Sequence, residues 1–218
     1  MTFEELKQSE EIKTYIRIAD ESLRAQGFTE HSFAHVTNVA HRAAELLTKL
    51  DYDAHTVELV KIAAYLHDIG NLINRIEHSQ SGATMAFRIL KDMEMPPEDI
   101  AAVATAIGNH DEGTGVPVNA IAAALILADK SDVRRTRVRN EDVATFDIHD
   151  RVNFSAKQSL LETDVEKKSV TLSLTIDTAY SSVMDYFEIF LDRMLLCRKA
   201  AERLGLAFHL VINDQKLL

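Results

Sequence analysis

Three His-Asp pairs occur in the chain, at His67-Asp68, His110-Asp111 and His149-Asp150. Only the first closes a strongly apolar run, Ile62-Ala63-Ala64-Tyr65-Leu66, and would carry an imidazole and a carboxylate into the interior. Buried groups of this kind need a hydrogen-bond partner or a metal. A divalent metal satisfies both, because imidazole and carboxylate are ligands for first-row transition ions. Adjacent helical residues point about 100° apart, so the remaining ligands must come from other elements. His35, His78, His110 and Asp129 are the candidates, each at a helix end or on an apolar helix where an unpaired polar group is costly.

Those elements are legible from periodicity and caps. Leu6, Ile12, Tyr15, Ile16, Ile18 and Leu23 predict a first helix from Phe3 to about Gln26, stopped by Gly27. Thr29 is the expected cap of a second, running to about Leu50 and carrying His35; Asp53 caps a third from Ala54 to about Ile69, ended by Gly70. A fourth helix follows His78, a fifth opens at Pro96-Pro97 and runs to about His110, and a sixth, Ile121 to Lys130, is apolar on most sides. After Arg151 the pattern changes. Val170, Leu172, Leu174 and Ile176 alternate with Thr171, Ser173 and Thr175 as in a half-buried strand. Phe154 to Val165 reads as its hairpin partner, Ala179 to Leu204 as a helix, and Phe208 to Ile212 as a third strand. The expected fold is mainly α: an all-helical domain over residues 1–145 with a small C-terminal α+β appendage over residues 146–218.

In AHVTNVAHRAA, AYLHDIGN and LILADKSD, the residues His35, His67-Asp68 and Asp129 resemble, in order, the His…His-Asp…Asp pattern of the HD superfamily of metal-dependent phosphohydrolases. The resemblance covers about residues 29–137. His78 and His110, lying between the pair and the last Asp, resemble the branch that holds two metals. It implies one ion on His35, His67, Asp68 and Asp129, and a second on His78, His110 and the other oxygen of Asp68, with Asp68 as the bridge. The implied cofactor is one or two divalent ions, Fe or Mn first, then Ni, Co, Zn or Mg, and the implied activity is hydrolysis of a small phosphorylated molecule, nucleotides foremost, by a metal-activated water. His67 and Asp68 carry the catalytic expectation, and Lys130, Arg134 and Arg135 the expectation of phosphate contacts. Asn71 departs from the Lys that many members place there, and the Gly-Tyr-Pro motif of the cyclic dinucleotide phosphodiesterases is absent. A minority of the superfamily with the same six ligands consists of diiron oxygenases, and a non-catalytic nucleotide sensor is a third reading.

The remaining composition narrows the partners. A formal net charge of -10 argues against general nucleic-acid binding, which depends on Lys and Arg neutralising phosphates. No apolar run approaches the roughly 20 residues that span a bilayer. MTFEELKQSEEIK lacks the features of an export signal, and Cys197 is the single cysteine, so a cytoplasmic setting is expected. Met184, Phe187, Phe190, Leu191, Met194 and Leu195 form an apolar stripe that packs against the core or a second subunit, which leaves a homodimer open. His31 and His41, flanking His35, read as surface groups, and His55, His149 and His209 carry no signal above background.

Overall fold

The computed structural model of the protein describes residues 1–218. It is mainly helical, with a small sheet near the C-terminus, as the periodicity predicts. The expected first helix is two, α1 (Phe3–Gln8) and α2 (Glu10–Ala25). The break is at Ser9, whose hydroxyl accepts from the backbone of Ile12 and so starts a new helix within the apolar pattern. Gly27 takes a positive φ of 83° after α2, as a terminating glycine should.

Helix α3 (Phe33–Lys49) is capped by Ser32 rather than Thr29. Helix α4 (Ala54–Leu66) is capped by Asp53 and stops three residues short of the expected Ile69. His67 and Asp68 therefore sit at the exit from α4, and Ile69–Leu72 form a short 3-10 turn. Then come α5 (His78–Asp92), α6 (Pro97–Gly108) and α7 (Ala120–Lys130), the last capped by Asn119. Helix α7 packs against α3, α4 and α6, and its residues from Ile121 to Ala128 are all buried, which explains the unbroken run of small and apolar side chains.

Helix α8 (Ile148–Ser155) is a short element that the periodicity missed; it takes in Phe154 and delays the first strand, β1 (Ala156–Asp164). Strand β2 (Ser169–Ile176) pairs with it antiparallel. Helix α9 (Val183–Arg203) then crosses over, so that β3 (Ala207–Ile212) lies parallel to β2, with the two-residue β4 (Gln215–Lys216) at the edge. The α9 start at Val183 rather than Ala179 follows from a capping box between Ser182 and Asp185. Helix α9 packs on α7, and one apolar core runs from Phe3 to Ile212 through both the helical part and the sheet. No helix is long and apolar enough to cross a membrane.

Candidate metal centre

The turn after α4 is pressed onto the start of α5. A Cβ at Gly70 would lie 2.0 Å from the carbonyl oxygen of His78 and 2.4 Å from the backbone nitrogen of Gly82. Only glycine permits this approach, which brings Asp68 to within 3.5 Å of the His78 ring. His35 comes from the first turn of α3, Asp129 from the last turn of α7, and His110 from just beyond α6. The structure thus brings His35, His67, Asp68, His78, His110 and Asp129 together, although four of the six lie at or beyond helix ends rather than within helices.

The cage has an inner and an outer layer. Each histidine turns Nδ1 outward: His35 to Asp132 Oδ2 at 2.7 Å, His67 to Ala64 O at 2.6 Å, His78 to Arg75 O at 3.1 Å and His110 to Ile107 O at 2.6 Å. These acceptors assign the ring proton to Nδ1 and point the Nε2 lone pair inward, the arrangement of metal-ligating histidines. His35 Nε2 lies 3.3 Å from Asp129 Oδ1 and 3.5 Å from Asp68 Oδ2, while His67 Nε2 lies 3.1 Å from Asp68 Oδ2. On the other side, His78 Nε2 is 3.5 Å from Asp68 Oδ1 and 3.2 Å from His110 Nε2. The two oxygens of Asp68 are therefore divided between two groups of histidines.

His35 Nε2, His67 Nε2 and Asp68 Oδ2 are buried and make no hydrogen bond. Unsatisfied groups of this kind are costly, and here several converge on one point. Ligand atoms of His35, His67 and Asp129, and of His67, Asp68 and His110, cluster closely enough for each trio to hold one ion. The electrostatics agree. Burial opposes charge on His67, yet Asp68 and Asp129 push its imidazole up to about 10. Burial would raise the Asp68 carboxyl, but His67, His31 and His35 hold it well below the usual carboxylate range. Carboxylates that draw protons onto these rings draw a metal cation as well, so the clustered imidazoles and carboxylates fit a divalent ion. His78 and His110 are displaced downward, chiefly by burial, and offer neutral rings.

Asn71 donates to Asp68 Oδ1 at 3.0 Å and to the Asp68 carbonyl at 2.9 Å, so this departure from Lys steadies the carboxylate. Lys130 lines the inner pocket, but its ammonium is held by Asp129 Oδ2 at 2.9 Å and Glu112 Oε2 at 2.7 Å. Arg134 and Arg135 are not brought to the pocket. Arg134 binds Asp132 and Glu30 behind His35, and Arg135 donates to the Phe154 carbonyl and covers the Phe154 ring at 4.3 Å. Both follow a chain that turns away from the cage after Asp132. In their place His31, Arg75, Arg137 and Arg193 line the pocket. His31 is half-buried and faces inward, whereas His41 is exposed as expected. Spacing four residues before His35 was the available signal for His31. Arg75, Arg137 and Arg193 had none, since they lie in three separate parts of the chain.

A family model described as the HD domain matches residues 32–152. The chain is 25% identical over 162 residues to the uncharacterized protein MJ1020 of Methanocaldococcus jannaschii, an alignment covering 64% of this chain and 62% of that protein. Less than two thirds of that relative's length is thus spanned. The crystal structure of a predicted HD superfamily hydrolase from an uncultured Thermotogales bacterium is similar at 26% identity and a TM-score of 0.47, over 62% of this chain and 75% of that one.

Proposed function

The chain belongs to the HD-domain family, and from that premise we propose that it is a metal-dependent phosphohydrolase acting on a small phosphorylated molecule, a nucleotide before other classes. The observation that carries the reading is the division of Asp68, with Oδ2 toward His35 and His67 and Oδ1 toward His78. One carboxylate presented to two sets of imidazoles suits a bridge between two cations. His35, His67, Asp68 and Asp129 would hold one ion, and His78, His110 and Asp68 the other. Bound there, the ions would supply an activated water and offset charge on the phosphoryl oxygens.

The chain's own residues have separable tasks. Asp132 orients His35 through Nδ1, and Asn71 fixes the Asp68 carboxylate. Lys130 lies against the Asp129 oxygen Oδ2, leaving Oδ1 toward the histidines. In the overall reaction, water oxygen bonds to phosphorus, the P–O bond of the phosphate ester or phosphoanhydride breaks, and the proton released by the water balances the charge on the departing oxygen.

The test is a panel of phosphorylated metabolites, nucleotides first, against protein stripped by chelator and reloaded separately with Fe, Mn, Ni, Co, Zn or Mg. Phosphate release that depends on the added ion is expected, and His110→Ala should lower the bound metal from about two ions per chain to about one. Oxygen uptake with ferrous iron and no phosphate release would favour the oxygenase reading. Tight nucleotide binding without turnover under every metal would favour a sensor.

A further inference from the structure

The cage opens through a throat. His31, Arg75, Arg137 and Arg193 line both the inner pocket, of about 20 Å³, and an outer cavity of about 420 Å³. A space needs about 10–15 Å³ to hold a single water, so the inner pocket has room for little beyond ions and water. Small-molecule sites run to about 300–1,000 Å³, which the outer cavity satisfies. The organic part of any substrate must therefore sit outside the throat.

Charge is distributed unevenly between the two spaces. At the throat, Arg75 contacts Asn71 Oδ1 at 3.4 Å and His78 Nε2 at 3.3 Å, neither of them on a carboxylate side chain. Arg137 gives Nε and Nη1 to the carbonyls of Glu30 and Asp132, each at 2.8 Å, and Arg193 reaches in from α9, held by Glu112 at 2.8 Å. The residues that line the outer cavity but not the inner pocket include Phe28, Ile189 and Phe190 as apolar surface, and the acids Asp147 and Asp150; Phe28 and Asp150 also border a neighbouring cavity of about 700 Å³ beside Arg24 and Arg139. His149, between those two acids, completes that wall and approaches Asp147 only to 4.0 Å. Glu112 is committed to Lys130 and Arg193, so Asp147 and Asp150 set the sign of the wall away from the throat.

We propose that the three arginines seat the phosphate of a substrate carrying its phosphate at one end only, and that the outer cavity takes an uncharged or cationic organic group of nucleoside size. Asp147 and Asp150 then act as specificity-determining residues that disfavour a second, distal anion. The inference rests on the phosphohydrolase reading only for the orientation of phosphate toward the cage. Like charges brought together in a binding site are a means of rejecting wrong ligands, and salt should weaken the effect at exposed side chains.

Adenosine 5′-monophosphate and adenosine 3′,5′-bisphosphate differ by that second anion alone. Titrated by calorimetry into the metal-free and the metal-loaded 218-residue chain, the monophosphate should bind at least about tenfold more tightly. Asp147→Asn with Asp150→Asn should shrink the ratio by at least about fivefold; asparagine keeps the helix cap that Asp147 provides to α8. Arg75→Met should weaken both ligands at least about tenfold at unchanged metal content. Equal or tighter binding of the bisphosphate, a ratio unmoved in the double variant, or no binding of either ligand would overturn the proposal. Binding is the readout throughout. Absence of phosphate release would count against the phosphohydrolase reading and leave this comparison of affinities standing.

Discussion

The helical part gathers three unsatisfied buried polar atoms at one point, whereas the C-terminal part leaves a solitary one, His209 Nδ1 on β3. Around α3, α4 and α7, His35 and His67 are fully buried and leave Nε2 without a partner, and Asp68 Oδ2 is left likewise. In the C-terminal part, buried hydroxyls are spent on the backbone: Ser155 donates to the Val152 carbonyl, and Ser159 donates to the Ser131 carbonyl across to the end of α7. Burial of a polar side chain is common to both regions and marks nothing by itself. What distinguishes the cage is convergence of unsatisfied atoms, which the fold tolerates because a ligand can satisfy them together.

The largest test of this contrast is Asp68→Ala. It removes the carboxylate shared by both histidine groups, so metal content should fall to background and metal-dependent phosphate release should vanish. Metal analysis beside the phosphate assay decides it, and a variant that keeps both would remove the cage from the chemistry. A smaller loss is expected from Asp132→Asn. This carboxyl would be raised by burial, but His35, Arg137 and Arg134 hold it well below the usual range, so it stays anionic behind His35. Its neutralisation should cost about 10–100-fold in metal affinity, read by competition with a chromogenic chelator. An unchanged affinity would mean that the outer layer only fills space.

The smallest effect belongs to the other region. Ser159→Ala deletes a satisfied hydroxyl, while the Ser131 carbonyl keeps its bond from Arg42 at 2.9 Å. A stability loss of about 0.5–1.5 kcal/mol in urea unfolding is expected, with metal affinity unchanged. Loss of metal in this variant would show that the sheet holds the cage in shape, and the two regions could no longer be separated by how they satisfy polar groups.

Much of this site was legible before any coordinates, for identifiable reasons. The apolar run Ile62 to Leu66 marks His67-Asp68 because burial is written into local sequence, and α7 is readable from Ile121 to Ala128 on the same ground. Alternation from Val170 to Ile176 gave β2, since strand period is a property of a few consecutive residues. Caps are less legible: Thr29 and Ser32 are both competent, and the one that forms is Ser32, whose Oγ accepts from the Ala34 backbone.

The sequence alone determined the order and types of the six cage residues, because ligand chemistry and the helices that carry it are local properties. The tertiary structure decided the rest. Which oxygen of Asp68 faces which histidines, the placing of Asp132 behind His35, and the exit of Arg134 and Arg135 from the pocket follow from how α3, α4, α5 and α7 meet. The throat is the clearest instance. Arg75 precedes α5, Arg137 follows α7 and Arg193 projects from α9, and no period or spacing along a chain encodes the meeting of three elements so far apart. Their convergence is a result of packing around a shared core, which sequence pattern specifies only as buried or exposed.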